Sequence, residues 1–118
     1  VPEHWAGWDG WTVIIGDDLE VAGYLPDNAD VVFIDTSHTY GHTLAELETY
    51  APKVRPGGVI LLHDTELEYA PDHPEPPEYP VYSAVVDWQA IHPDWKAEFH
   101  PGCYGLGLLF APEEVSAA

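Results

Sequence analysis

Two aspartates stand where an apolar run gives way to polar residues, and they carry the clearest chemical signal in the chain. Asp35 follows Val31 to Ile34 in VVFIDTSHTY, and Asp64 follows Val59 to Leu62 in RPGGVILLHDT. If those runs are neighbouring strands, the two carboxylates reach one cation. Mg2+ prefers such oxygen donors and keeps water positions that a substrate can take. His38 lies three residues beyond Asp35, close enough to accept a proton from a hydroxyl held there, because imidazole titrates near neutrality. Spacing alone equally allows each Asp to cap the turn that follows it, and His38 to be an exposed loop residue.

A third strand end is Gly16-Asp17-Asp18, which stops the run Thr12 to Ile15. A small residue there lets a ligand approach the backbone, and an acid accepts hydrogen bonds from an amino group or a ribose hydroxyl. His42 reads as structural or surface. His63, beside Asp64, is expected on the opposite side of its strand. The chain contains no G-x-G-x-x-G, no P-loop and no G-x-S-x-G elbow. Cys103 is the one cysteine, in the turn-like PGCYG, which excludes an internal disulfide and a thiolate zinc site and suits a reducing compartment.

The elements that position these residues follow from periodicity. Trp5, Trp8 and Trp11, interrupted by Gly7 and Gly10, read as a loop packing aromatics on a neighbour. Leu19 to Leu25 reads as helical turns capped by Asp18. Thr43 to Ala51 is expected to be a helix with Leu44, Leu47 and Ala51 on its apolar face and Glu46 and Glu48 off it. Residues 66–79 form an acidic, proline-rich loop beside the second strand end, either a lid or a solvated excursion. Val81 to Ile91 is amphipathic, with Val81, Ala84, Val85, Trp88 and Ile91 as its core stripe. Trp95, Ala97 and Phe99 alternate with polar residues and pair, across a turn, with Tyr104 to Phe110. The tail after Pro112 is expected to fray. Strands separated by helices imply an α/β fold with parallel pairing and right-handed crossovers, in one domain over 1–118.

Composition removes several classes of function. Lys and Arg number 3 against 21 acids, so counterion displacement from a phosphate backbone is out of reach, and nucleic acids and anionic membranes are excluded as partners. A hydrophobic fraction of 46% with 13% aromatics is too apolar for a disordered chain. No apolar run approaches the roughly 18 residues of a membrane span, and the start lacks the basic and apolar regions of a signal peptide. The expectation is a soluble, cytoplasmic protein. The chain opens on Val1 and holds no Met, which points to a trimmed or partial chain.

In order, IIGDD, VVFIDTSHTY, RPGGVILLHDT, the amphipathic helix and the final hairpin resemble the C-terminal half of class I S-adenosylmethionine-dependent methyltransferases. Within that superfamily they are most similar to metal-dependent small-molecule O-methyltransferases, including catechol and macrolide-sugar enzymes. The resemblance covers about residues 12–110. It implies a Rossmann-like sheet of strand order 3-2-1-4-5-7-6, strand 7 antiparallel. Thr12 to Ile15 then stands for strand 3, Val31 to Ile34 for strand 4, Val59 to Leu62 for strand 5, and the hairpin for strands 6 and 7. Strands 1 and 2, which carry the glycine-rich methionine-binding loop and the ribose-binding acid, have no counterpart.

By the same resemblance Asp17, with Gly16 and Asp18 beside it, sits near the cofactor adenine, and Asp35 and Asp64 match metal ligands. Thr65 stands at a third ligand position where many relatives carry Asn or Asp, and His38 matches a base. The implied function is Mg2+-assisted methyl transfer from S-adenosyl-L-methionine to a small-molecule hydroxyl, the chain being a fragment inactive without the missing half. Two alternatives stand beside it. One is a non-catalytic or degenerate relative whose exposed strand edge binds a partner or a second copy. The other is a metal-dependent hydrolase built on the same acids and histidines.

Overall fold

A computed structural model describes residues 3–8, 10–68 and 76–113. The expected tail after Pro112 lies, from residue 114, outside them, as do residues 69–75 of the acidic loop; Glu66 lies in a turn, Leu67 and Glu68 are irregular, and residues 76–79 are bends. The elements in order are β1 (Glu3–Trp8), β2 (Trp11–Ile15), α1 (Asp18–Val21), β3 (Ala29–Ile34), α2 (Tyr40–Tyr50), β4 (Val54–His63), α3 (Pro80–Ile91), β5 (Lys96–His100) and β6 (Leu106–Phe110), with single 3-10 turns at Ala22–Tyr24 and Ala51–Lys53. Among the described residues no helix is long and apolar enough to cross a membrane.

A four-stranded mixed sheet in the order β3-β4-β6-β5 carries the fold. β3 and β4 are parallel, as a strand-helix-strand crossover requires, while β6 runs antiparallel to both β4 and β5. This is the 4-5-7-6 half of the order that the resemblance implies. β2 is not part of this sheet and pairs antiparallel with β1 instead. In the implied order strand 3 is separated from strand 4 by two others, so β2 has no reason to meet β3.

β1 corrects the expectation of a loop over residues 1–11. The missed signal is Asp9-Gly10 between the two runs, a favoured two-residue hairpin connection. Gly10 has φ +78°, the left-handed backbone that such turns need. Whether the tryptophans there pack on a neighbour concerns side chains outside the described ones.

The core lies between the sheet and the pair α2–α3. Ile60, Leu62 and Leu109 of the sheet meet Leu47 of α2 and Val81, Val85 and Trp88 of α3. The indole of Trp95 meets that of Trp88 edge-on, with centroids 5.2 Å apart. Two expected core positions differ. Ile91, the last residue of α3, is 72% exposed. Glu46, expected off the apolar face, is 0% exposed. The buried stripe of α2 is Thr43, Glu46, Leu47 and Tyr50, an i, i+3, i+4, i+7 set, so helical geometry buries the carboxylate whatever its charge.

Element ends also moved. The cap of α1 is Asp17, whose Oδ1 accepts from the Leu19 N–H at 2.8 Å, rather than Asp18. β4 begins at Val54, before Pro56, because Ala29 pairs with Val54 and the register then shifts until Val31 meets Val59. Pro56 and Gly57 fall inside that irregularity, where no ladder hydrogen bond is lost.

Candidate functional site

The parallel register places Ile34 beside Leu62, so Asp35 and Asp64 leave the sheet at the same edge, at the carboxyl ends of adjacent strands. The carbonyl end of such strands is where open α/β sheets bind ligands. Asp64 is 6% exposed and has φ +70°; its N–H donates to the Gly105 carbonyl at 3.0 Å, which ties the strand end to the turn before β6. His38 also has positive φ, +63°. Backbone of this kind in a non-glycine residue costs about 1–3 kcal/mol and concentrates at functional sites.

Those two strained residues meet. His38 Nε2 lies 2.6 Å from Asp64 Oδ2 and 3.4 Å from Asp35 Oδ1. His63 Nδ1 lies 3.2 Å from Asp64 Oδ1 and 3.7 Å from Asp35 Oδ1. One donor atom each from Asp35, His63 and Asp64 falls within 4.8 Å of the others. Thr65 is buried, its side chain against Gly105 and Gly107, where added Cβ atoms would collide with it.

The ring of His63 therefore faces the carboxylates and not the far side of the strand. Alternation stops where β4 ends, because Asp64 leaves the extended region and swings its carboxylate back over the preceding ring. His63 Nε2 lies 2.9 Å from the Cys103 carbonyl. Donating there would leave the Nδ1 lone pair aimed at the acids, the arrangement of a ligand histidine held by its other nitrogen. The Cys103 backbone has φ +50° in an exposed turn, so this residue contributes its carbonyl to the site.

The acids fit a hard divalent cation. Among the described residues no lysine or arginine pairs with Asp35 or Asp64: Lys53 faces Asp27 and Arg55 faces Asp30. Among the described residues the two carboxylates have imidazoles beside them and no fixed cation, an oxygen-rich donor set of the kind Mg2+ takes.

Gly16, Asp17 and Asp18 follow β2, outside this cluster. Gly16 is exposed, Asp17 caps α1, and Asp18 Oδ1 lies 3.0 Å from His42 Nε2. His42 in turn is 3.5 Å from Glu46 Oε2, an oxygen that also accepts from Thr36 Oγ1 at 2.6 Å. Burial, with Asp18 next to it, pushes the Glu46 carboxyl up to about 8. The Tyr50 hydroxyl donates to the Asp18 carbonyl; burial, then the charge of Asp18, raises its ionisation above the ordinary value. Asp18, Thr36, Glu46 and Tyr50 line one end of a cavity of about 390 Å³ that runs along β3 past Val31 and Phe33.

Comparison with known proteins bears on the family and the fold. A family model described as a methyltransferase domain matches residues 3–65. An uncharacterised protein, y4gI of Sinorhizobium fredii, is 29% identical over 100 residues, which span 85% of this chain and 9% of that protein. Among solved structures, the O-methyltransferase NovP is similar at TM-score 0.54 and 21% identity, covering 73% of this chain and 31% of its own. MycE, a methyltransferase of the mycinamycin biosynthetic pathway solved with Mg and SAH, is similar at TM-score 0.57 and 19% identity, covering 89% of this chain and 33% of its own. The chain thus spans a third or less of each of these proteins. It shares their fold over that span. The family match extends over more than half of its length, and the chain belongs to the methyltransferase family.

Proposed function

We propose that the chain provides the metal-binding and proton-accepting side of an S-adenosylmethionine-dependent O-methyltransferase that acts on a small-molecule hydroxyl. The observation that carries this reading is the convergence of Asp35, His38, His63 and Asp64 at one pair of parallel strand ends. In this reading Asp35 and Asp64 hold Mg2+, His63 Nδ1 adds a donor, and Thr65 shapes the wall behind Asp64. Bound there, Mg2+ would acidify a coordinated hydroxyl and fix its direction. MycE, of the same fold, was solved with Mg and SAH, which favours that assignment.

His38 takes the hydroxyl proton on its ring. Asp64, 2.6 Å away, orients the imidazole and stabilises the imidazolium that forms. The oxygen freed of its proton would then attack the sulfonium methyl in line, the O–C bond forming as the S–C bond breaks and the sulfur leaves as the neutral thioether of S-adenosylhomocysteine. Gly16 and Asp17 receive the adenosine end, with a carboxylate that accepts from the adenine amino group or a ribose hydroxyl, and Asp18 stands beside them facing His42. The methionine end needs a wall that residues 1–118 do not encode, since they contain no glycine-rich loop after a strand.

Incubation of the full-length gene product with methyl-labelled S-adenosylmethionine and a panel of catechols and sugars tests the reading. Label should appear on a hydroxyl oxygen and disappear with EDTA. Label on nitrogen or carbon, or EDTA-resistant transfer, would refute it.

One observation favours a second reading of part of the molecule. β3 is an edge of the sheet, with Val31 54% and Phe33 56% exposed, and an apolar open edge accepts another strand. Sedimentation of the chain over a range of concentrations would show association if that edge pairs with a second copy, and a strict monomer counts against it.

A further inference from the structure

We infer that Asp18, His42 and Glu46 form a second divalent-cation site, suited to Zn2+ and separate from the strand-end acids. Three elements of the chemistry converge. His42 and Glu46 lie one turn apart on α2 and project to the same side, while Asp18 reaches them from the first turn of α1. His42 Nε2 stands 3.0 Å from Asp18 Oδ1 and 3.5 Å from Glu46 Oε2. One donor atom from each residue lies within 4.8 Å of the other two, so a single ion can touch all three.

An independent feature of Glu46 points to a ligand. The side chain is fully buried, and although Oε2 accepts from Thr36, Oε1 has no hydrogen-bond partner among the described residues. An oxygen left without a partner at a fully buried position carries the desolvation penalty of that atom. Among the described residues no lysine or arginine pairs with Asp18 or Glu46. Lys53 borders the same cavity, but its Nζ donates to the Leu25 carbonyl and to Asp27. A divalent ion would take the place of the Glu46 proton and give Oε1 a partner. An imidazole with two carboxylates is a mixed nitrogen and oxygen set that suits Zn2+ better than Mg2+. Access is open as well, because the Asp18 and His42 side chains are each 28% exposed while Glu46 forms the floor.

Zinc chloride titrated into the 118-residue chain, followed by calorimetry and by metal content after dialysis, tests the site. With Asp35→Asn and Asp64→Asn removing the strand-end carboxylates, one equivalent of zinc should still bind. Adding His42→Gln or Glu46→Gln should weaken that binding by at least ~10-fold. In the otherwise unchanged chain, His42→Gln should lower bound zinc by one equivalent, which keeps the answer readable if the double Asn variant fails to fold. Zinc content unaffected by both His42→Gln and Glu46→Gln, with circular dichroism showing both variants folded, would overturn the inference.

Discussion

His38 Nε2 lies 2.6 Å from Asp64 Oδ2, and both residues hold positive φ to make that contact. Neither conformation is cheap for a side chain with a Cβ, so the surrounding fold must hold them there. The strand-end hydrogen bond from Asp64 to Gly105 is one such restraint. The contact also couples the two roles proposed for this edge, because the carboxylate that orients the base is one that would bind the cation.

That coupling can be read in solution. Mg2+ titrated into the chain should shift the ring nitrogen resonances of both His38 and His63. Asp64→Asn should remove both responses, and Asp35→Asn should weaken them. Rings that ignore Mg2+ at millimolar concentration would argue against a cation between these acids.

The turn before β6 sets the position of Thr65 and so of its neighbour Asp64. Gly105 has φ +88°, and a Cβ there would collide with Thr65 Oγ1 and lie 2.7 Å from Glu66 Cγ. Gly105→Ala should therefore destabilise the chain by about 1–3 kcal/mol. Gly41→Ala, on α2 with open space around the new methyl, should instead stabilise it by about 0.5–1 kcal/mol. Urea unfolding of the two variants checks the contrast.

Glu46 gives the pH dependence a sign. Its carboxyl ionises at about 8 in the folded chain against 4.5 ordinarily. Between those values the folded state keeps a proton that the unfolded state releases. The contribution is complete below about 4.5, erodes as pH rises, and is gone above about 8, with a slope of at most about 1.4 kcal/mol per pH unit. In EDTA, the stability of wild type relative to Glu46→Gln should fall across that window. A difference that stays flat, or grows with pH, would contradict the burial argument.

Much of this was legible in the chain itself, and the failures have physical causes. Apolar runs ending in Asp35 and Asp64 located the strand ends, and the single intervening helix implied their parallel pairing, both as observed. His63 was misplaced because strand alternation was carried one residue too far, past the point where Asp64 turns into positive φ. Glu46 was misplaced because its charge was weighed above its position, although Thr43, Leu47 and Tyr50 already mark its face as buried. Glycines among the tryptophans suggest a loop, whereas Gly10 lies in the turn of the β1–β2 hairpin. Nothing local in the sequence joins Asp18 to His42, since that contact depends on how α1 packs against α2.

Cofactor binding follows from the same division of labour. Calorimetry of the 118-residue chain with S-adenosylmethionine should show no micromolar binding, because the adenosine side alone offers few contacts. Micromolar affinity would mean that residues 1–118 suffice to hold the cofactor.

If His38 is the base for hydroxyl methylation, its loss should slow the chemical step and leave cofactor binding intact. Methyl transfer by the full-length gene product should be measured for wild type and His38→Gln at saturating S-adenosylmethionine and Mg2+, on an acceptor methylated by wild type. The expected result for His38→Gln is a kcat lower by roughly 10²–10⁴-fold with cofactor affinity unchanged. Wild-type turnover in His38→Gln would contradict it.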